Sequence, residues 1–249
     1  FPCAAPFAGA PLPQLPAFIP SYEAALAIND LITAVHFFEQ FATLRSSAVC
    51  ALASGYLFTA LMAVAHALTF PDLFAPGGLF DAGPDSTAWL YVFWHGGFPL
   101  AVIAYALGKD RDAASIRHVG SVRTMFLVAL AAVVAAVVGL TALATAGKAM
   151  LPAIMAGNHN TLALTIAVGS VWTLSLAALA VLVWRRPYSI LDLWLMVVMS
   201  AWLFDVALSS ILNGGRFDLG FYAGRVYGLL AASFVLAALL LETGWLHDR

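Results

Sequence analysis

Seven stretches of about 20 mostly apolar residues, each long enough to cross a bilayer as a helix, follow one another at about 18–43, 48–70, 87–108, 121–146, 161–184, 190–212 and 221–243. Such a series leaves few folds. Backbone N–H and C=O groups cannot stay unpaired in hydrocarbon, so a spanning segment is a helix or a strand of a closed barrel. The alternation of barrel strands is missing. The expected fold is an all-α integral membrane protein with seven transmembrane helices in one bundle. Only 10% of the 249 residues are charged, against roughly 25% in soluble domains. The breakers between runs are PDLFAPGGLFDAGPD at 71–85, GKDRDAASIRHVG at 108–120, RRP at 185–187 and NGGRFDLG at 213–220.

Cations set the orientation, because cytoplasmic loops carry the excess of Lys and Arg. One side holds eight: Arg45, Lys109, Arg111, Arg117, Arg123, Arg185, Arg186 and Arg249; the other holds Lys148, Arg216 and Arg225. This predicts an external N-terminus and a cytoplasmic C-terminus. Residues 1–16, rich in Pro and Ala and without the basic start of a signal peptide, read as an extended, poorly ordered leader. Residues 17–245 form the membrane domain, and 246–249 the start of a cytoplasmic linker, with no output domain in this sequence. The net charge of −2 and the lack of a long basic run exclude nucleic acid as a partner. Cys3 and Cys50 are too few and too far apart for a disulfide framework.

Ionisable residues inside a span are costly and mark function by default. The fourth run has essentially none, whereas the first carries Glu23, Asn29, Asp30, His36 and Glu39. The second run places Gly55, Thr59, Met62, His66 and Thr69 on one face, and the sixth does the same with Trp202, Asp205, Ser209 and Asn213. The third contains WLYVFWHGGFPL at 89–100, where His95 precedes two glycines and Pro99. The seventh opens with Tyr222, Arg225 and Tyr227. Counted along the helices, His66 and His95 reach compatible depths in the outer half. The predicted ligand site is therefore an outer-half pocket of Asn29, Asp30, His66, His95, Asp205 and Arg225, walled by Tyr222 and Trp202. His36, Glu39 and His159 read as packing, headgroup-boundary and loop residues.

Several chemistries compete for these groups. Retinal needs a membrane lysine, and the two lysines, Lys109 and Lys148, fall in loops. Haem b between His66 and His95 is one alternative; another metal held by these histidines with Asp30 or Asp205 has no spacing to fix it. HExxH, GxSxG and P-loop patterns are missing, so the chain is not expected to be an enzyme. Transport shares the intramembrane acids and Pro-broken helices, but seven spans without a visible repeat argue against it.

Four strings carry a resemblance: YEAALAINDLITAV at 22–35, SGYLFTALMAVAHALTFPDLF at 54–74, STAWLYVFWHGGFPLAVIAYAL at 86–107 and FYAGRVYGL at 221–229. They resemble the fourth type of bacterial membrane-associated sensor domain, the MASE group, over about residues 13–245. The resemblance implies a sensory input domain in the bacterial inner membrane, coupled to a cytoplasmic diguanylate cyclase or histidine kinase; partner membrane subunits or a second copy of the chain are further expected partners. By position it carries over Asn29, Asp30, His66, His95 and Arg225. The alternative class is a haem-binding or structural subunit of a membrane complex.

Overall fold

The computed structural model describes residues 1–114, 121–157 and 159–247; Arg117 and Arg249, two of the cations that set the predicted orientation, lie outside the described residues. Among the described residues, seven long helices follow the apolar runs: α1 (Phe18–Leu44), α2 (Ser47–Thr69), α3 (Gly83–Ala114), α4 (Val122–Ala144), α5 (Leu162–Trp184), α6 (Ile190–Val206) and α7 (Leu219–His247). Six are long and apolar enough to cross a membrane. The exception is α1, whose Glu23, Asp30 and Glu39 lower its hydropathy. Packing compensates: α1 lies between α2 and α7, and Glu23 and Asp30 are buried.

Local sequence sets the helix ends. Ser46 and Thr161 cap α2 and α5 by accepting from Val49 N and Leu164 N, and Ser189 forms a reciprocal capping box with Asp192 at α6. Each side-chain oxygen satisfies an amide that the first helical turn leaves open. Two helices exceed their apolar runs. The polar start of α3, from Gly83, and its KDRDAA end contain no helix breaker after Pro84, and α7 continues as helix through His247.

Helix α1 packs on α2, α2 on α3, α3 on α5, α5 on α6, α6 on α7, and α7 returns to α1. Outside this ring, α4 leans on α2 and α3 and buries only Val133, Val137 and Ala144, as its uniformly apolar sequence requires of a lipid-facing helix. Small residues bring α2 and α3 together. A Cβ on Gly97 would run into the Phe58 ring, and one on Gly55 would come within 2.5 Å of the Ala101 Cβ. Gly97 of the HGG motif thus serves close helix packing, whereas a Cβ on Gly96 would make only ordinary contact with Val171.

Pro99 has no N–H for the carbonyl of His95, four residues earlier. Trp202 of α6 supplies the missing donor, its indole N–H reaching the His95 carbonyl at 3.3 Å. The proline therefore creates an acceptor that pins α3 to α6.

The two ends of the bundle differ. At one end, Lys109 of α3 donates to Asp192 Oδ2 at 2.7 Å and to the carbonyls of Arg185 and Pro187, while Arg185 reaches Asp110 at 2.7 Å. These contacts lock α3, α5 and α6. At the other end, Asp85 Oδ1 accepts from the amides of Ile154 and Met155, both at 2.7 Å. This fixes the α4–α5 connection, which includes a two-residue antiparallel pair, β1 (Met155–Ala156) and β2 (His159–Asn160), over the start of α3.

The leader is ordered against this second end, where a poorly ordered segment was expected. The amides of Leu219 and Gly220 donate to the carbonyls of Ala10 and Ala8, and Leu12 N donates to Phe217 O. Tyr222 Oη accepts from Leu15 N and donates to Pro13 O. The prolines that suggested disorder hold the segment extended, so its other amides and carbonyls can pair with the α6–α7 turn.

Candidate functional site

The buried polar groups form two storeys near the leader end. The upper one is a cavity of about 40 Å³ lined by His66, Tyr91, Ser209, Ser210, Arg216 and Arg225 among others, room for a few water-sized groups. Directly after α6 the chain makes one π-helical turn, Ala207–Ile211. Its wider winding lets the consecutive Ser209 and Ser210 both line the cavity.

Below it, helices meet through buried acid–imidazole contacts. Glu23 of α1 faces His66 of α2, with Oε1 2.6 Å from Nδ1. His95 of α3 directs Nδ1 to the Tyr91 carbonyl at 2.9 Å and Nε2 to Asp205 Oδ2 of α6 at 3.5 Å. A carbonyl only accepts, so Nδ1 carries hydrogen. The contact from Nε2 to Asp205 is attractive only with a proton between them. The Tyr91 ring stacks on His95 at 3.8 Å, and Tyr91 Oη meets Ser209 Oγ at 2.8 Å. One tyrosine thereby joins the cavity to the pair beneath it.

Helix α7 approaches Asp205 closely because its facing residues lack side chains. A Cβ at Gly224 would stand 2.7 Å from the Asp205 carbonyl oxygen and 2.8 Å from Oδ1, and one at Gly228 would stand 3.0 Å from Oδ2. Oδ1 has no hydrogen-bond partner among the described residues. The carboxylate is held between His95 and a glycine face, at the seam between α6 and α7.

The lower storey is a separate cavity of about 20 Å³, bounded by Asp30, Tyr56, Thr59, Trp202 and Gly228. The predicted residues thus only partly converge. His66 and Arg225 line the upper cavity, His95 and Asp205 pair below it, and Trp202 packs on His95 with ring centroids 4.8 Å apart. Asp30 belongs to the lower cavity. Asn29 is outside both: it donates to Ser233 Oγ at 2.9 Å, on the α1–α7 contact. Tyr222 holds the leader. Asn29 was assigned by depth and by the resemblance and Tyr222 by depth, neither of which fixes the direction a helix face takes.

The sequence reading named Glu23 among the polar groups of the first run and Arg216 among the cations but left both, with Tyr91, out of the site. Signals for Glu23 and Tyr91 were present: Glu23 lies two turns before Asp30 on the same face, and Tyr91 lies one turn before His95. Arg216 sits in a turn, where a cation usually means solvent. Here it is half-buried, donates to the Pro84 carbonyl at 3.0 Å and lies over the Phe70 ring at 5.1 Å. Burial first, and then the charge of Arg225, push its pKa down to about 10, with Asp85 partly opposing. Arg225 is 6% exposed; it donates to the Phe221 carbonyl at 2.9 Å and lies 3.8 Å from the Phe221 ring centroid.

Haem does not fit these residues. Both nitrogens of His95 are engaged, and Tyr91 and Trp94 pack against the imidazoles of both His66 and His95. A cavity of about 40 Å³ beside His66 is far smaller than the several hundred Å³ of typical cofactor pockets. Among the described residues no group of three or more His, Cys, Asp or Glu side chains is arranged to hold a metal ion.

A multi-pass helical membrane domain built around buried charge defines the class. The family model for the membrane-associated sensor, integral membrane domain, MASE4, matches residues 13–245, and the chain belongs to that family. No curated protein and no solved structure gives a significant match.

Proposed function

We propose that this domain is the sensory input of a bacterial inner-membrane signalling protein and does no catalysis itself. A stimulus at the outer polar storey would be passed along α7 to a cytoplasmic diguanylate cyclase or histidine kinase. The observation that carries this reading is the placement of Asp205. One buried carboxylate touches His95 on α3, lies against the glycine face of α7, and is joined through Ser209 and Tyr91 to the cavity. A change of charge or contact in the cavity has a short physical route to the α6–α7 seam. The uneven distribution of Lys and Arg supports an external leader end and a cytoplasmic end for α7.

A ligand shifts such a bundle only by binding its two arrangements with different affinity. The locked ion cluster of Lys109, Asp192 and Arg185 makes α3, α5 and α6 a fixed frame, which leaves α7 as the mobile element. The test is output activity of the full-length protein in membranes carrying Asp205→Asn or His95→Gln. The reading expects either substitution to change basal output or its response to stimulus. Wild-type output and response in both would refute it.

A further inference from the structure

The upper cavity is cationic, and nothing in its wall neutralises it. Arg216 and Arg225 both line it, and no Asp or Glu does. Neither arginine makes an ion pair within 4.0 Å among the described residues. The nearby acids lie outside the wall and point to other partners: Glu23 to His66, Asp205 to His95, Asp85 to the amides of Ile154 and Met155, and Asp218 to Gly214 N at 2.9 Å, so that Asp85 offsets Arg216 only from beyond ion-pair distance. Each guanidinium is steadied by one carbonyl and an aromatic face. Those contacts orient a cation without cancelling its charge.

Two like charges lining one cavity, Arg225 buried and Arg216 half-buried, are unfavourable unless something of opposite sign joins them. Arginine remains charged at neutral pH, including Arg216 at about 10. The planar, multi-donor guanidinium suits carboxylate and phosphate oxygens. The hydroxyls of Ser209 and Ser210 and the imidazole of His66 line the same space, and its volume of about 40 Å³ admits a compact group and excludes a large one.

We infer that this cavity binds a compact oxyanion, a small carboxylate or phosphate group, between Arg216 and Arg225. The inference rests on the proposed function in taking the cavity as the input site, and it names the chemistry of what enters. Bound there, the anion lies next to Tyr91 and Ser209, which lead to the His95–Asp205 pair.

The experiment is anion titration of the protein in nanodiscs of neutral lipid, at constant ionic strength maintained with chloride. Sodium acetate and inorganic phosphate are the soluble probes, and nanodiscs containing phosphatidylglycerol form a third arm, because a lipid phosphate could supply the same group. Tryptophan fluorescence and the unfolding midpoint are the readouts. A saturable rise in midpoint with acetate or phosphate, weakened about tenfold or more in both Arg216→Gln and Arg225→Gln, supports a soluble anion. A rise with phosphatidylglycerol alone, lost in the same variants, supports the headgroup as its source. Absence of a saturable response in all three arms overturns the inference, as does a response retained in the double variant. Because Arg225→Gln could perturb folding, Arg225→Lys serves as a second probe: it keeps the charge and should bind measurably while losing the bidentate advantage. Binding is read without any output domain, so its failure leaves the signalling role of the α6–α7 seam to be judged by its own assay.

Discussion

Alanine at Gly224 should be among the most damaging single-methyl changes in the bundle. Its Cβ would lie 2.7 Å from a backbone oxygen of α6 and 2.8 Å from the Ser209 Cβ, whereas ordinary contact begins near 3.4 Å. The carbonyl cannot rotate away, so α7 must retreat by about 0.7 Å, the difference between 2.7 and 3.4 Å. Overpacking of this kind costs about 1–3 kcal/mol. At Gly228 the nearest atom is the Asp205 Oδ2, 3.0 Å away, and a side chain can adjust, so the cost falls below about 1 kcal/mol. Gly169 in α5 and Gly139 in α4 have nothing within 4 Å of an added methyl, and alanine there should stabilise by about 0.5–1 kcal/mol through helix propensity. The series therefore spans roughly 1.5–4 kcal/mol from Gly169→Ala to Gly224→Ala. Reversible unfolding in mixed micelles, followed by tryptophan fluorescence, measures it. Equal midpoints for Gly224→Ala and Gly169→Ala would show that α6 and α7 do not meet at this seam.

Other consequences are equally specific. Trp202→Phe removes the donor to the His95 carbonyl and should cost about 1 kcal/mol. Adding Pro99→Ala should recover part of that loss by restoring the intrahelical N–H, and additive losses in the double variant would contradict the assigned bond. Asp192→Asn leaves Lys109 without its buried counter-ion and should destabilise by about 3 kcal/mol, read by the same unfolding assay. The depressed pKa of Arg216 also fixes a sign. With no anion bound, its deprotonated form is favoured by folding, so stability gains as pH rises through about 10. Anion affinity does the reverse: it holds through neutral pH and declines through about 10, which anion titrations at stepped pH would detect.

The helices were legible because each apolar run needed only length and a breaker, and their observed limits differ by a few residues except where α3 and α7 run on. Less legible were the directions of side chains. Hydropathy gives depth, so Asn29 and Tyr222 were grouped with Asp30 and Arg225 in one site, although helix rotation sends them to the α1–α7 contact and the leader. The His95–Asp205 pair joins helices separated in the chain by α4 and α5, and its existence depends on how α3 meets α6. The spacing of Gly224 and Gly228, a pattern known to permit close helix contact, was readable in GRVYG but acquires meaning only from the carboxylate opposite. Arg216 was hidden by its position in a turn, since its burial comes from contacts with Pro84 and Phe70, which are distant in the chain.

The central claim is that α7 moves against the fixed frame when the outer polar core is altered. Spin labels at Leu193→Cys on α6 and Ala237→Cys on α7, both exposed positions, in a protein with Cys3 and Cys50 replaced, report that distance by pulsed electron–electron resonance. The account predicts that Asp205→Asn shifts the distance distribution relative to the unsubstituted domain. Superimposable distributions, in a protein whose signalling output has changed, would contradict it.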